Sequence, residues 1–124
     1  ILFACRENAC RSQMAAAFAR YLGGDQIDAM SAGSEPAEKV NPLMQAVMAD
    51  KGIDLAFART RLLDDAIAAH RPEMIVTMGC GEACPVIPGV KIEDWDIPDP
   101  VGQVDSIMTD VRDEIETRVK KLIN

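Results

Sequence analysis

The chain has 124 residues, 48% hydrophobic and 27% charged, the balance of one globular domain over residues 1–124 that can bury a core without disulfide staples. A formal net charge of -7 speaks against general affinity for nucleic acid or anionic membrane. No apolar run reaches the roughly 18 residues of a membrane span.

The chain opens on Ile1 rather than Met, inside a strand-like run, which suggests a missing start residue and no signal peptide. Ile1-Leu2-Phe3-Ala4 reads as a buried strand ending at Cys5. Ser12 to Leu22 reads as a helix, with Met14, Phe18 and Leu22 on one face and Gly23-Gly24 as its stop. A second strand is expected over Gln26 to Ser31, closed by Gly33. Asn41 before Pro42 predicts a capped helix through Leu43, Ala46 and Val47 to Lys51, stopped by Gly52. A weaker helix follows from about Leu62 to Ala69, then strands over Met74–Met78 and Val90–Trp95. Val104, Ile107, Met108, Val111, Ile115, Val119 and Leu122 recur at helical spacing and predict a long amphipathic helix. Strands alternating with helices predict an α/β domain of three layers, a four-stranded parallel sheet with helices on both faces.

Four cysteines fall in two close pairs, Cys5 with Cys10 and Cys80 with Cys84, among long helical and strand patterns. That usage suits thiol chemistry in a reducing cytoplasm better than a secreted disulfide framework. In open parallel sheets the working site lies beyond the carboxyl ends of the strands, and Cys5 and Cys80 each follow a strand end.

Cys5-Arg6-Glu7-Asn8-Ala9-Cys10-Arg11-Ser12 has the form C-x5-R-S between a strand and a helix. A loop there turns backbone N–H groups inward, and the helix amino terminus adds positive potential. Asn8, Ala9, Cys10, Arg11 and Ser12 would form the anion cradle, with Arg11 as a two-pronged donor to a tetrahedral oxyanion. The same field favours Cys5 as a thiolate nucleophile. Ser12 is placed to donate to that sulfur and also to cap the helix.

The run Cys5 through Ala15, C-x-x-N-x-C-R-S-Q-M-A, resembles the signature of arsenate reductases built on the low-molecular-weight tyrosine phosphatase fold, which is flavodoxin-like. Ser31-Ala32-Gly33, Asn41-Pro42, Cys84-Pro85-Val86-Ile87-Pro88 and Trp95 followed by Asp99-Pro100 match further family segments in order, over nearly the whole chain. The resemblance implies that Cys5 attacks arsenate while Asp99 protonates the departing oxygen. Cys80 would then resolve the Cys5 adduct and Cys84 would carry the disulfide outward, with thioredoxin or a low-molecular-weight thiol as external reductant and no tightly bound cofactor. Arg6 and Glu7 depart from the smaller or uncharged residues usual in the loop, and Cys80 and Cys84 stand closer together than in better-known thioredoxin-coupled members. The glycine-rich run from Gly79 to Pro85 also resembles branches served by a low-molecular-weight thiol or another redoxin. Of a potassium site found in some members, Asn8 and Ser31 match, but Ala16 stands where a Glu would be, and no metal is expected.

Other readings remain beside this one. Asp96 is a second candidate acid, while Trp95 reads as a core aromatic and His70 as a helix carboxyl-end residue without a catalytic role. Cys10 shapes the loop or protects Cys5 by a reversible disulfide. Zinc held by all four thiols would leave Arg11-Ser12 unexplained. Phosphotyrosine hydrolysis would need only Cys5, Arg11 and Asp99, and a non-catalytic oxyanion or redox sensor would need no turnover.

Overall fold

The computed structural model describes residues 1–79 and 87–123. The strands are β1 (Leu2–Cys5), β2 (Met30–Gly33), β3 (Met74–Met78) and β4 (Lys91–Asp94), and the helices α1 (Arg11–Gly23), α2 (Pro42–Ala49), α3 (Leu63–His70) and α4 (Asp105–Ile123). All neighbouring strands run parallel, in the order β2-β1-β3-β4. The expected α/β sheet is therefore present. Cys80 and Cys84, with Pro85 and Val86 of the matched segment, lie outside the described residues.

The two-residue period of β1 divides the core. Phe3 and Cys5 join α1, α2 and α4 on one face, with Val76 and Met78 of β3 beside them. Leu2, Ala4 and Ile75 face the other way, onto Leu63 and Ala66 of α3. Each large side chain fully buried this way contributes roughly 1.5–3 kcal/mol. Met108, Val111, Ile115 and Val119 are the buried stripe of α4, as their spacing predicts. Trp95 is buried and packs against Phe3 at a ring separation of 5.9 Å, donating its indole N–H to Glu93.

Three local expectations change. The second strand begins at Met30, because its register is set by pairing Leu2 with Met30 and Cys5 with Gly33. Gly24–Gln26 forms a 3₁₀ turn instead, and the apolar Ile27 packs over Gly23, where a Cβ would collide with it. Helix α1 is buried on nearly every side from Arg11 to Ala19, wedged between the sheet and α4, while Leu22 is exposed. Its four alanines, residues 15, 16, 17 and 19, allow that close packing. Finally, α1 starts at Arg11 and has no side-chain cap, whereas Asn41 caps α2 as expected, its Oδ1 accepting from Leu43 N at 2.9 Å and Met44 N at 3.1 Å.

Candidate active site

The loop between β1 and α1 is held from outside by its carbonyl groups. Cys5 O accepts from Ser34 N, Arg6 O from Glu35 N, Glu7 O from Ala37 N, Ala9 O from Asn41 N and Cys10 O from Met14 N. Asn8 O accepts from the Gln13 side chain at 3.0 Å. Six successive carbonyls are thus occupied by donors on the segment after β2 and on α1. Among the described residues, no backbone N–H from Arg6 to Cys10 donates to a protein acceptor. Together with the uncapped first turn of α1, these amides form a ready anion cradle.

Asn8 sets the polarity inside the loop. It adopts a left-handed backbone, φ 54°, which Asn tolerates better than most residues, and its side chain is fully buried. The backbone N–H of Arg61 donates to Asn8 Oδ1 at 2.9 Å, and Gln13 Nε2 adds a longer contact at 3.3 Å. An amide N–H can only donate, so the Asn8 side chain must turn its Nδ2 toward Ser12, where it donates to Oγ at 2.8 Å. Ser12 Oγ lies 2.9 Å from Cys5 Sγ. With its oxygen accepting from Asn8, the Ser12 hydroxyl is free to give its proton to the Cys5 sulfur. Ser12 therefore serves the sulfur and not the helix end, which corrects the expected cap.

Arg11 is buried along its length and anchored by donation from Nη1 to Ile97 O at 3.0 Å. Its Nη2 stands 3.9 Å from Asp99 Oδ2. Asp99 is tethered by its Oδ1, which accepts from Val101 N at 3.0 Å, and by its carbonyl, which accepts from Gln103. Cys5, Ala9, Cys10, Arg11, Asp99 and Val101 line a cavity of about 180 Å³, with Arg6, Glu7 and Glu35 at its edge. Arg6 pairs with Glu35 at 3.5 Å, and both are exposed, as is Glu7. Asp96 is exposed and does not line this cavity. His70 ends α3, as expected, away from it.

Cys10 shares the cavity but not the chemistry of Cys5. Burial first, and then the charges of Cys5 and Asp99, push its thiol from 9.0 up to about 12. It stays protonated at neutral pH, in keeping with a loop-shaping residue.

Two glycines and one glutamine complete the site without having been singled out for it. A Cβ on Gly33 would meet Arg6 O at 2.7 Å and Asn8 N at 2.8 Å, so the end of β2 can lie against the loop only as glycine. Gly79 combines φ +82° with a position where a Cβ would stand 2.5 Å from Arg11 Nη1. Gln13 ties Asn8 to Arg59 O at 2.8 Å. Asn8 Oδ1, one of the two matching residues of the potassium pattern, is already shared by two protein donors.

A model of the low molecular weight phosphotyrosine protein phosphatase family matches residues 1–124. The chain belongs to this family. Among its phosphatase-family relatives, an arsenate reductase of Staphylococcus epidermidis is 39% identical over 124 residues, 97% of this chain and 92% of that protein. A glutaredoxin arsenate reductase of Synechocystis is 34% identical over 125 residues, 99% of this chain and 95% of that one. In structure, the thioredoxin-dependent arsenate reductase of Corynebacterium glutamicum superposes with a TM-score of 0.81 at 35% identity, covering 98% of this chain and 58% of that protein.

Proposed function

We propose that this phosphatase-family protein is an arsenate reductase. The observation that carries the reading is the Arg61–Asn8–Ser12–Cys5 hydrogen-bond chain ending on a thiol inside a cradle of free amides. Arsenate is bound by those amides and Arg11, and the Cys5 thiolate attacks arsenic to form a sulfur–arsenic bond. The departing oxygen takes a proton from Asp99 and leaves as water. Cys80 thiolate then attacks Cys5 sulfur. A disulfide forms, the sulfur–arsenic bond breaks with its electron pair remaining on arsenic, and arsenic(V) departs as arsenite. Cys84 attacks Cys80, freeing Cys5, and an external dithiol of the thioredoxin or glutaredoxin class reduces the Cys80–Cys84 disulfide. The reductants fit a cytoplasmic setting, and the cycle calls for no tightly bound cofactor.

Several features support arsenate over a phosphate ester. Among the described residues, those lining the cavity include no aromatic side chain, and Glu7 and Glu35 border its mouth, an unfavourable setting for an aryl phosphate on an acidic peptide. Gly79, which precedes Cys80 in the sequence, lies against the Arg11 guanidinium. The relatives bearing reductase names match over nearly the full chain.

The test is arsenite production with thioredoxin, thioredoxin reductase and NADPH, beside hydrolysis of para-nitrophenyl phosphate. Cys80→Ser and Cys84→Ser should abolish sustained arsenite production and spare any phosphate hydrolysis. Strong ester hydrolysis with no arsenite from the unaltered protein would make it a phosphatase instead.

A further inference from the structure

A second cavity, of about 620 Å³, opens beside the edge strand β2, between α1 and the segment leading to α3. Its wall carries Arg20, Arg59, Arg61 and His70 and, among the described residues, no carboxylate. In a chain with 20 acidic against 13 Lys and Arg residues, that is a concentrated exception. Among the described residues, none of these three arginines forms an ion pair, nor does Arg71 beyond the cavity, whereas Arg6, Arg11, Arg112 and Arg118 each do. Arg20 is held in place by donation to Ala29 O at 3.2 Å. Burial, followed by the nearby charge of Arg61, holds the Arg20 guanidinium below its ordinary value, which places like charges close together. Such mutual repulsion is relieved by a bound anion.

The size suits a small molecule rather than a single ion, since ligand cavities run from roughly 300 to 1,000 Å³. Guanidinium groups recognise phosphate oxygens in pairs, and three of them on one wall match a group with more than one phosphate. Phe57 at the cavity is 93% exposed, a flat apolar face beside the cations.

We propose that this cavity is a second anion site, separate from the Cys5 loop, for a small molecule bearing a diphosphate or longer polyphosphate group. The site adjoins the loop through Gln13, which lines the cavity and donates to Asn8 O and Arg59 O, and through the backbone N–H of Arg61, which donates to Asn8. The exposed guanidinium groups of Arg59 and Arg61 are therefore turned to a ligand while their main chain braces the catalytic loop.

Titration calorimetry of the full chain with inorganic pyrophosphate, and separately with ADP, tests this directly. R59Q/R61Q changes exposed side chains, keeps the backbone bonds, and should weaken pyrophosphate binding at least tenfold. K120Q/K121Q removes the same charge from the far end of α4 and should change it less than twofold. F57A then separates the sources: a loss confined to ADP identifies a nucleotide, and no loss for either identifies a free polyphosphate. Unaltered pyrophosphate affinity in R59Q/R61Q, or an equal loss in K120Q/K121Q, would overturn the proposal.

Discussion

At the residue scale, the site turns on where one proton points. Arg61 N–H fixes Asn8, Asn8 fixes Ser12, and Ser12 presents its hydroxyl to Cys5 sulfur. A hydrogen bond to a charged group is worth about 1.5–3 kcal/mol, so Ser12→Ala should slow single-turnover arsenite formation by about 10- to 100-fold, with arsenate binding much less affected. Cys10 gives a prediction of opposite kind. Its folded thiol titrates near 12 against 9.0 when unfolded, so the folded state holds the proton more tightly. Its contribution to stability is complete below pH 9 and declines as pH rises from 9 toward 12, at up to about 1.4 kcal/mol per unit. Urea midpoints measured at pH 8 and pH 10.5 should therefore fall more steeply for the unaltered protein than for Cys10→Ala. Cys5 and Arg11 stand out in one loop pattern, whereas Asp99 is picked out by the family resemblance of its W-x-x-x-D-P segment, since an Asp-Pro pair alone also suits a plain turn. Gln13 and the backbone of Arg61 are not legible in the sequence, because their roles depend on contacts spanning 46 and 53 residues.

At the scale of elements, the close approach of β2 to the loop is the exposed point of the design. A Cβ on Gly33 meets two backbone atoms, which cannot swing aside as a side chain can. Gly33→Ala should cost about 1–3 kcal/mol in thermal or urea unfolding and lower the reaction rate of Cys5 with iodoacetamide. The long helix α4 and the capped helix α2 were legible because their apolar spacing and their Asn-Pro start are local signals. Strand β2 begins later than its apolar signal suggests because the fold uses Ile27 against Gly23. Its true register comes from pairing with β1, a non-local choice.

At the scale of the whole molecule, the sheet order puts β1 between β2 and β3, so Cys5 stands level with Gly33 on one side and Met78 on the other. The loop after β1 thereby meets Gly33 at one edge, and Arg11 meets Gly79 and the carbonyl of Ile97 at the other. Alternation of strands and helices announced a parallel sheet but not its order, which is why the meeting of residues 11, 79 and 97 could not be read from the chain. Three separate segments, residues 5–11, Glu35 and residues 99–101, converge on one small cavity in a chain whose net charge is -7. Its work, in this account, is to pass two electrons from thiols to arsenic. The most direct measurement is a thiol count on the fully reduced protein before and after one turnover with arsenate, without added reductant, with bridges mapped by mass spectrometry. The relay requires a fall from four thiols to two, one arsenite released, and a Cys80–Cys84 disulfide. Four thiols remaining after exposure to arsenate, with no arsenite formed, would contradict it.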